Sequence, residues 1–142
     1  MEHKFEEREK IPEISKEVLE NIKSEVTNQP LEYRDFSIED ISYTFIPCPS
    51  KNDEGETNGQ PAEYNAQLNE WAIYIWEDLL EKIQKVLLFH EIIEIYFRAK
   101  YGMEKTPAHN ATLLYEEQFR KELLSEDEER AIQELRSKYN IS

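Results

Sequence analysis

The stretch Leu87-Leu88-Phe89-His90-Glu91-Ile92-Ile93-Glu94-Ile95-Tyr96-Phe97 reads as the spine of a buried helix that carries one imidazole and two carboxylates. Burying such groups without partners costs several kcal/mol, so either they turn outward or something binds them. Residues four apart on a helix stand one above the other. His90 and Glu94 therefore share a face, and Glu91 stands beside them. Two ligands one turn apart with an adjacent carboxylate form the layout of a metal-binding helix, in which the extra carboxylate can work on a metal-bound water. The familiar pattern is H-E-x-x-H; here Glu94 replaces the second histidine, giving H-E-x-x-E.

Two further residues could join. His109 lies early in the helix that follows the Gly102 turn, and a short connection makes the two helices neighbours, expected antiparallel. Glu116 is seven residues on, nearly two turns, and Arg120 four beyond that, where it could orient Glu116 from behind. His90, Glu94, His109 and Glu116 can thus converge between two helices, whereas Glu117 points away by about 100°. Plainer readings compete. His90 alone would be a hydrogen-bonded core histidine, Glu94 an ion pair with Arg98, and Glu116 part of a solvated Tyr115-Glu116-Glu117-Gln118 face. The case for a metal is that His90, Glu91 and Glu94 must all be satisfied at once in an apolar run. His3 reads as a solvated tail residue.

The elements that must position these groups follow from periodicity. Pro12 could open a first helix reaching about residue 26, with Ile14, Val18, Ile22 and Val26 in one stripe beside Leu19 and Asn28-Gln29-Pro30 as its stop. Residues 31–40 carry no clear period. Ile41, Tyr43 and Phe45 alternate as a half-buried strand ended by Pro47-Cys48-Pro49. The segment 50–61, with two of the three glycines, predicts a mobile loop. Tyr64, Ala66 and Leu68, then Trp71, Ile73 and Ile75, predict a β-hairpin or tight bend. Asp78 with Glu81 forms a capping box for a helix over about 79–100, near 33 Å at ~1.5 Å per residue, and Gly102 ends it. Thr106 as N-cap and Pro107 as first helical residue open the next helix, to about 124. Ser125 with Glu128 caps a last one, with Ala131, Ile132, Leu135 and Tyr139 inward. The expectation is a single α+β domain over 1–142, frayed at 1–10, with a small antiparallel sheet of about three strands packed on the long metal-binding helix.

Composition bounds the partners. The chain has 142 residues, 31 acidic and 17 basic, for a formal net charge of -14. Such acidity favours solubility and excludes general binding to nucleic-acid phosphates, leaving mimicry of nucleic acid as a remote role. Cys48 is the lone cysteine, a small buried or edge thiol rather than a nucleophile, and fits a reducing compartment. No apolar h-region follows Met1, and no run reaches the roughly 18 apolar residues needed to span a membrane. These features predict a soluble cytoplasmic protein.

The order of parts from Tyr64-Asn65-Ala66-Gln67-Leu68-Asn69-Glu70-Trp71-Ala72-Ile73-Tyr74-Ile75 to Leu87-Leu88-Phe89-His90-Glu91 resembles the minimal zincin metallopeptidase core. In that family a Tyr-containing strand, a tight turn and a hydrophobic edge strand precede the active-site helix. His90-Glu91-Ile92-Ile93-Glu94 with His109-x-Ala111 and Glu116 is similar to small phage and bacterial proteins that carry H-E-x-x-E and a later histidine. The resemblance covers roughly residues 62–118 and leaves the first and last helices unmatched. It implies His90, Glu94 and His109 as ligands, Glu91 as general base, and the strand from Trp71 to Trp76 as an edge that aligns an extended peptide. Glu94 in place of histidine keeps zinc first but makes manganese or iron(II) more competitive, and renders bound water less acidic. Two readings stay open: a metal-dependent peptidase-like hydrolase, and a non-catalytic, metal-stabilised binding or regulatory module whose site is closed by four protein ligands.

Overall fold

A computed structural model describes residues 11–51, 53–54, 62–65 and 70–139, with 62–65 and 139 described in backbone only. The frayed end expected at 1–10, most of the loop expected at 50–61, Ala66, Leu68 and the Tyr64 and Tyr139 side chains lie outside the described residues. The fold is α+β. Helix α1 (Lys16–Thr27) is followed by strands β1 (Arg34–Ile38), β2 (Ile41–Cys48), β3 (Ala62–Asn65) and β4 (Glu70–Trp76), then helices α2 (Glu81–Tyr101), α3 (Lys105–Leu123) and α4 (Glu126–Tyr139).

The sheet has four strands in the order β1-β2-β4-β3 and is mixed. β1 and β2 form an antiparallel hairpin, β2 and β4 run parallel, and β3 returns antiparallel to β4. This corrects the expected three-strand antiparallel sheet. The two most apolar strands take the centre, where both flanks are paired. Their register sets Tyr43 beside Trp71 and Phe45 beside Ile73, and all four side chains are buried. A second correction follows: β4 is not an edge, since Glu70–Ile73 is paired with β2 on one side and with β3 on the other. The undetermined stretch after residue 30 contains β1, joined to β2 by a two-residue turn in which Glu39 adopts φ 55°. A non-glycine residue rarely sits there. Its carboxylate accepts from Tyr96 Oη at 2.7 Å and pairs with Lys100 Nζ at 3.3 Å, tying the turn to the end of α2.

Caps move some boundaries. α1 begins after Ser15, whose Oγ accepts from the Val18 amide at 3.2 Å, not at Pro12. Asp78 is no cap for α2: it accepts from the Ser50 amide at 3.0 Å, while the Gln84 side chain donates to Glu77 O and Leu79 O across the lead-in. Gly102, at φ 67°, ends α2 in the left-handed region, and its amide donates to Phe97 O. α3 starts two residues earlier than predicted, at Lys105 with Glu104 as N-cap, so Pro107 is third in the helix; a first-turn nitrogen has no helical acceptor, so proline costs nothing there. Ser125 and Glu128 do form the reciprocal box, Ser125 N to Glu128 Oε1 at 2.8 Å and Glu128 N to Ser125 Oγ at 3.2 Å.

α2 is the axis of the core. Leu87, Leu88, Phe89, Ile92, Ile93, Ile95 and Phe97 are all buried, covering every side of the helix. Sheet, α1 and α3 surround it in one continuous apolar cluster that also includes Ile132 of α4. Among the described residues no helix is long and apolar enough to cross a membrane.

Candidate metal centre

Gly102-Met103-Glu104 turns the chain back, and α3 runs antiparallel along α2: Phe89 stacks on Phe119 at 4.2 Å, while His109 reaches Glu94. Ala108, Ala111 and Thr112, all fully buried, form the contact face of α3. Small side chains let two helix backbones approach closely, so polar groups on facing helices come within contact range.

His90, Glu94 and His109 meet there. His90 Nε2 lies 3.1 Å from His109 Nδ1 and 3.5 Å from Glu94 Oε1, and His109 Nδ1 lies 3.0 Å from Glu94 Oε1. These three side chains could hold a metal ion. Hydrogen bonding alone leaves the group frustrated. His109 Nδ1 can donate to Glu94 or accept from His90, and one nitrogen cannot do both. A cation inside the triangle satisfies all three atoms. Donors bound about 2.0–2.2 Å from a tetrahedral ion stand roughly 3.3–3.6 Å apart; the observed edges are 3.0, 3.1 and 3.5 Å.

The residues around the triangle differ from the expectations in two ways. Glu94 does not pair with Arg98, whose guanidinium lies over the Trp71 ring at 5.1 Å. Glu116 does not join the triangle. It sits on the opposite side of His90, whose Nδ1 donates to Glu116 Oε1 at 2.9 Å. Glu116 is fully buried, and its oxygens are taken by Arg120 Nε at 2.9 Å from Oε2 and by both terminal nitrogens of Arg136, Nη1 at 2.8 Å from Oε2. The Arg120–Glu116 contact read from helical spacing is thus present. Arg136 was not foreseen, although it stands four residues after Ile132, on the apolar face of α4, where an arginine is out of pattern.

The charges respond to this packing. Burial by itself would lower His90, but hydrogen bonds to Glu116 and Glu94 outweigh it and raise the imidazole to about 9. Burial would raise Glu116, yet Arg136 and His90 hold it down at about 2. Glu94 is likewise lowered, burial being outweighed by His90 and His109. Glu91 goes the other way: burial pushes it up to about 7, with the Glu94 charge adding to the rise and His90 opposing it. Among the described residues its carboxylate has no hydrogen-bond or ion-pair partner. The site therefore combines a held histidine, two further donors and one unengaged carboxyl group that can exchange a proton near neutrality. The chain matches no protein-family model, no curated protein and no solved structure.

Proposed function

We propose that the protein is a metal-dependent hydrolase of the zincin-like type, acting on a peptide or amide bond. The observation that carries the reading is the triangle of His90 Nε2, His109 Nδ1 and Glu94 Oε1, with edges of 3.0–3.5 Å. These residues would hold a divalent ion, zinc first by donor type, with manganese or iron(II) admitted by the carboxylate. When bound, such an ion polarises a carbonyl and makes water a stronger acid. Glu91 is the base: it takes a proton from the attacking water and returns it to the departing amine nitrogen. Its raised carboxyl, near 7, suits that exchange at neutral pH. Glu116 keeps the Nδ1 proton on His90, which leaves Nε2 as the donor nitrogen.

An open site is favoured over one closed by four protein ligands, because both Glu116 oxygens are engaged by arginines and His90 Nδ1. The test is Glu91→Gln in metal-loaded protein assayed on a peptide library. Metal content and melting temperature should hold while turnover falls roughly 10²–10⁴-fold. Full turnover in the variant would defeat the mechanism even with the metal bound.

A further inference from the structure

α4, the last described helix, contacts Glu116, the carboxylate that accepts from His90. α4 buries Ile132 in the core and carries Arg136 toward α3. Arg136 and Arg120 both reach Glu116, but differently. Arg120 lies on Oε2 alone and is shared with Glu129. Arg136 forks across both oxygens, including Oε1, the atom that accepts from His90 Nδ1. A fork on a carboxylate fixes its plane as well as its charge. Fixing Oε1 fixes the ring it touches, and so the direction in which Nε2 points.

We propose that Arg136 is a positioning residue for the metal site: acting through Glu116, it orients His90 so that Nε2 faces Glu94 and His109. The inference rests on the metal reading above and adds that α4, remote from the ligands in sequence, sets their affinity. Outer partners of this kind usually change metal affinity by about 10–100-fold.

The experiment is a cobalt(II) titration of chelator-stripped full-length protein, followed by the visible absorption of the bound ion. Arg136→Gln should weaken cobalt(II) binding by about 10–100-fold and alter the spectrum. Arg136→Lys, which restores the charge without the fork, should recover part of the affinity. In a Glu116→Gln background, Arg136→Gln should cost less than about twofold, because a residue that acts through Glu116 has nothing left to act on. Equal losses in both backgrounds would assign Arg136 to support of the fold alone and overturn the proposal, as would wild-type affinity and spectrum in Arg136→Gln. Should Arg136→Gln fail to fold by circular dichroism, Arg136→Lys decides: wild-type affinity overturns the proposal and reduced affinity supports it. Wild-type protein that binds no cobalt(II) overturns the metal reading and this inference together. Binding that is indifferent to Arg136 overturns only this inference.

Discussion

Glu94 and Glu116 lie on opposite sides of one imidazole, both on helices of the same pair, and do opposite things. Glu94 faces His90 Nε2 and His109 Nδ1, and among the described residues no guanidinium pairs with it. Glu116 faces His90 Nδ1 and is saturated by two arginines. A carboxylate already neutralised by arginine has little left to offer a cation. One that shares its oxygen with two imidazoles still has a charge to give. The comparison teaches that a carboxylate's role at a metal site is set by what else holds it. One side of His90 is finished by protein alone; the other is a group that could hold a cation.

The contrast can be broken most forcefully from the saturated side. Glu116→Ala leaves Arg136, mostly buried, without the carboxylate across which it forks, and leaves Arg120 with Glu129 alone. Removing one member of a buried pair costs roughly 3–5 kcal/mol, so urea unfolding of metal-free protein should show a loss of that size. A loss below about 1 kcal/mol would mean that the network does not hold α4. Glu94→Ala should behave in the reverse way. Its metal-free stability should change by about 1 kcal/mol, the worth of an ordinary hydrogen bond. In the wild type, zinc at a hundred times its dissociation constant should add roughly 2.7 kcal/mol, or about 5–10 °C in melting temperature, and the variant should lose that gain. An undiminished shift in Glu94→Ala would remove Glu94 from the ligand set.

The mildest test is pH on chelator-stripped protein. Glu91 is raised from 4.5 to about 7, so the folded state holds its proton longer than the unfolded chain, and stability falls as pH rises between those values. His90 is raised from 6.5 to about 9, so its contribution is complete below 6.5 and lost as pH rises through 9. Glu116, lowered from 4.5 to about 2, protects the acid side until pH falls toward 2. The melting temperature should therefore decline from about pH 5 to 9, and Glu91→Gln should remove the part of the decline below pH 7. A melting temperature that climbs over that range would contradict the charge states assigned to both sides of His90.

Much of the site was legible because its rules are local. Helical period alone puts His90 and Glu94 on one face and carries Arg120 to Glu116. Gly102 announces the turn that folds α3 back on α2, and Ser125 with Glu128 announces α4. Alternation in Ile41, Tyr43 and Phe45 and in Trp71, Ile73 and Ile75 marks two strands with one buried face. By itself, then, the sequence marked the helices and the two central strands but not β1, together with the direction of each side chain on its own element and the meeting of His90, Glu94 and His109.

Tertiary structure decided what depends on partners distant in the chain. Alternation shows which face of a strand is buried but is silent on its flanks, so the parallel β2-β4 pairing and the interior place of β4 came from packing. Period likewise brings Glu116 to the face of α3 that meets α2, yet both ring nitrogens of His90 are reachable from that face. Which nitrogen Glu116 takes depends on the rotation of one helix against the other, and on Arg136 arriving from a third helix to fix the carboxylate.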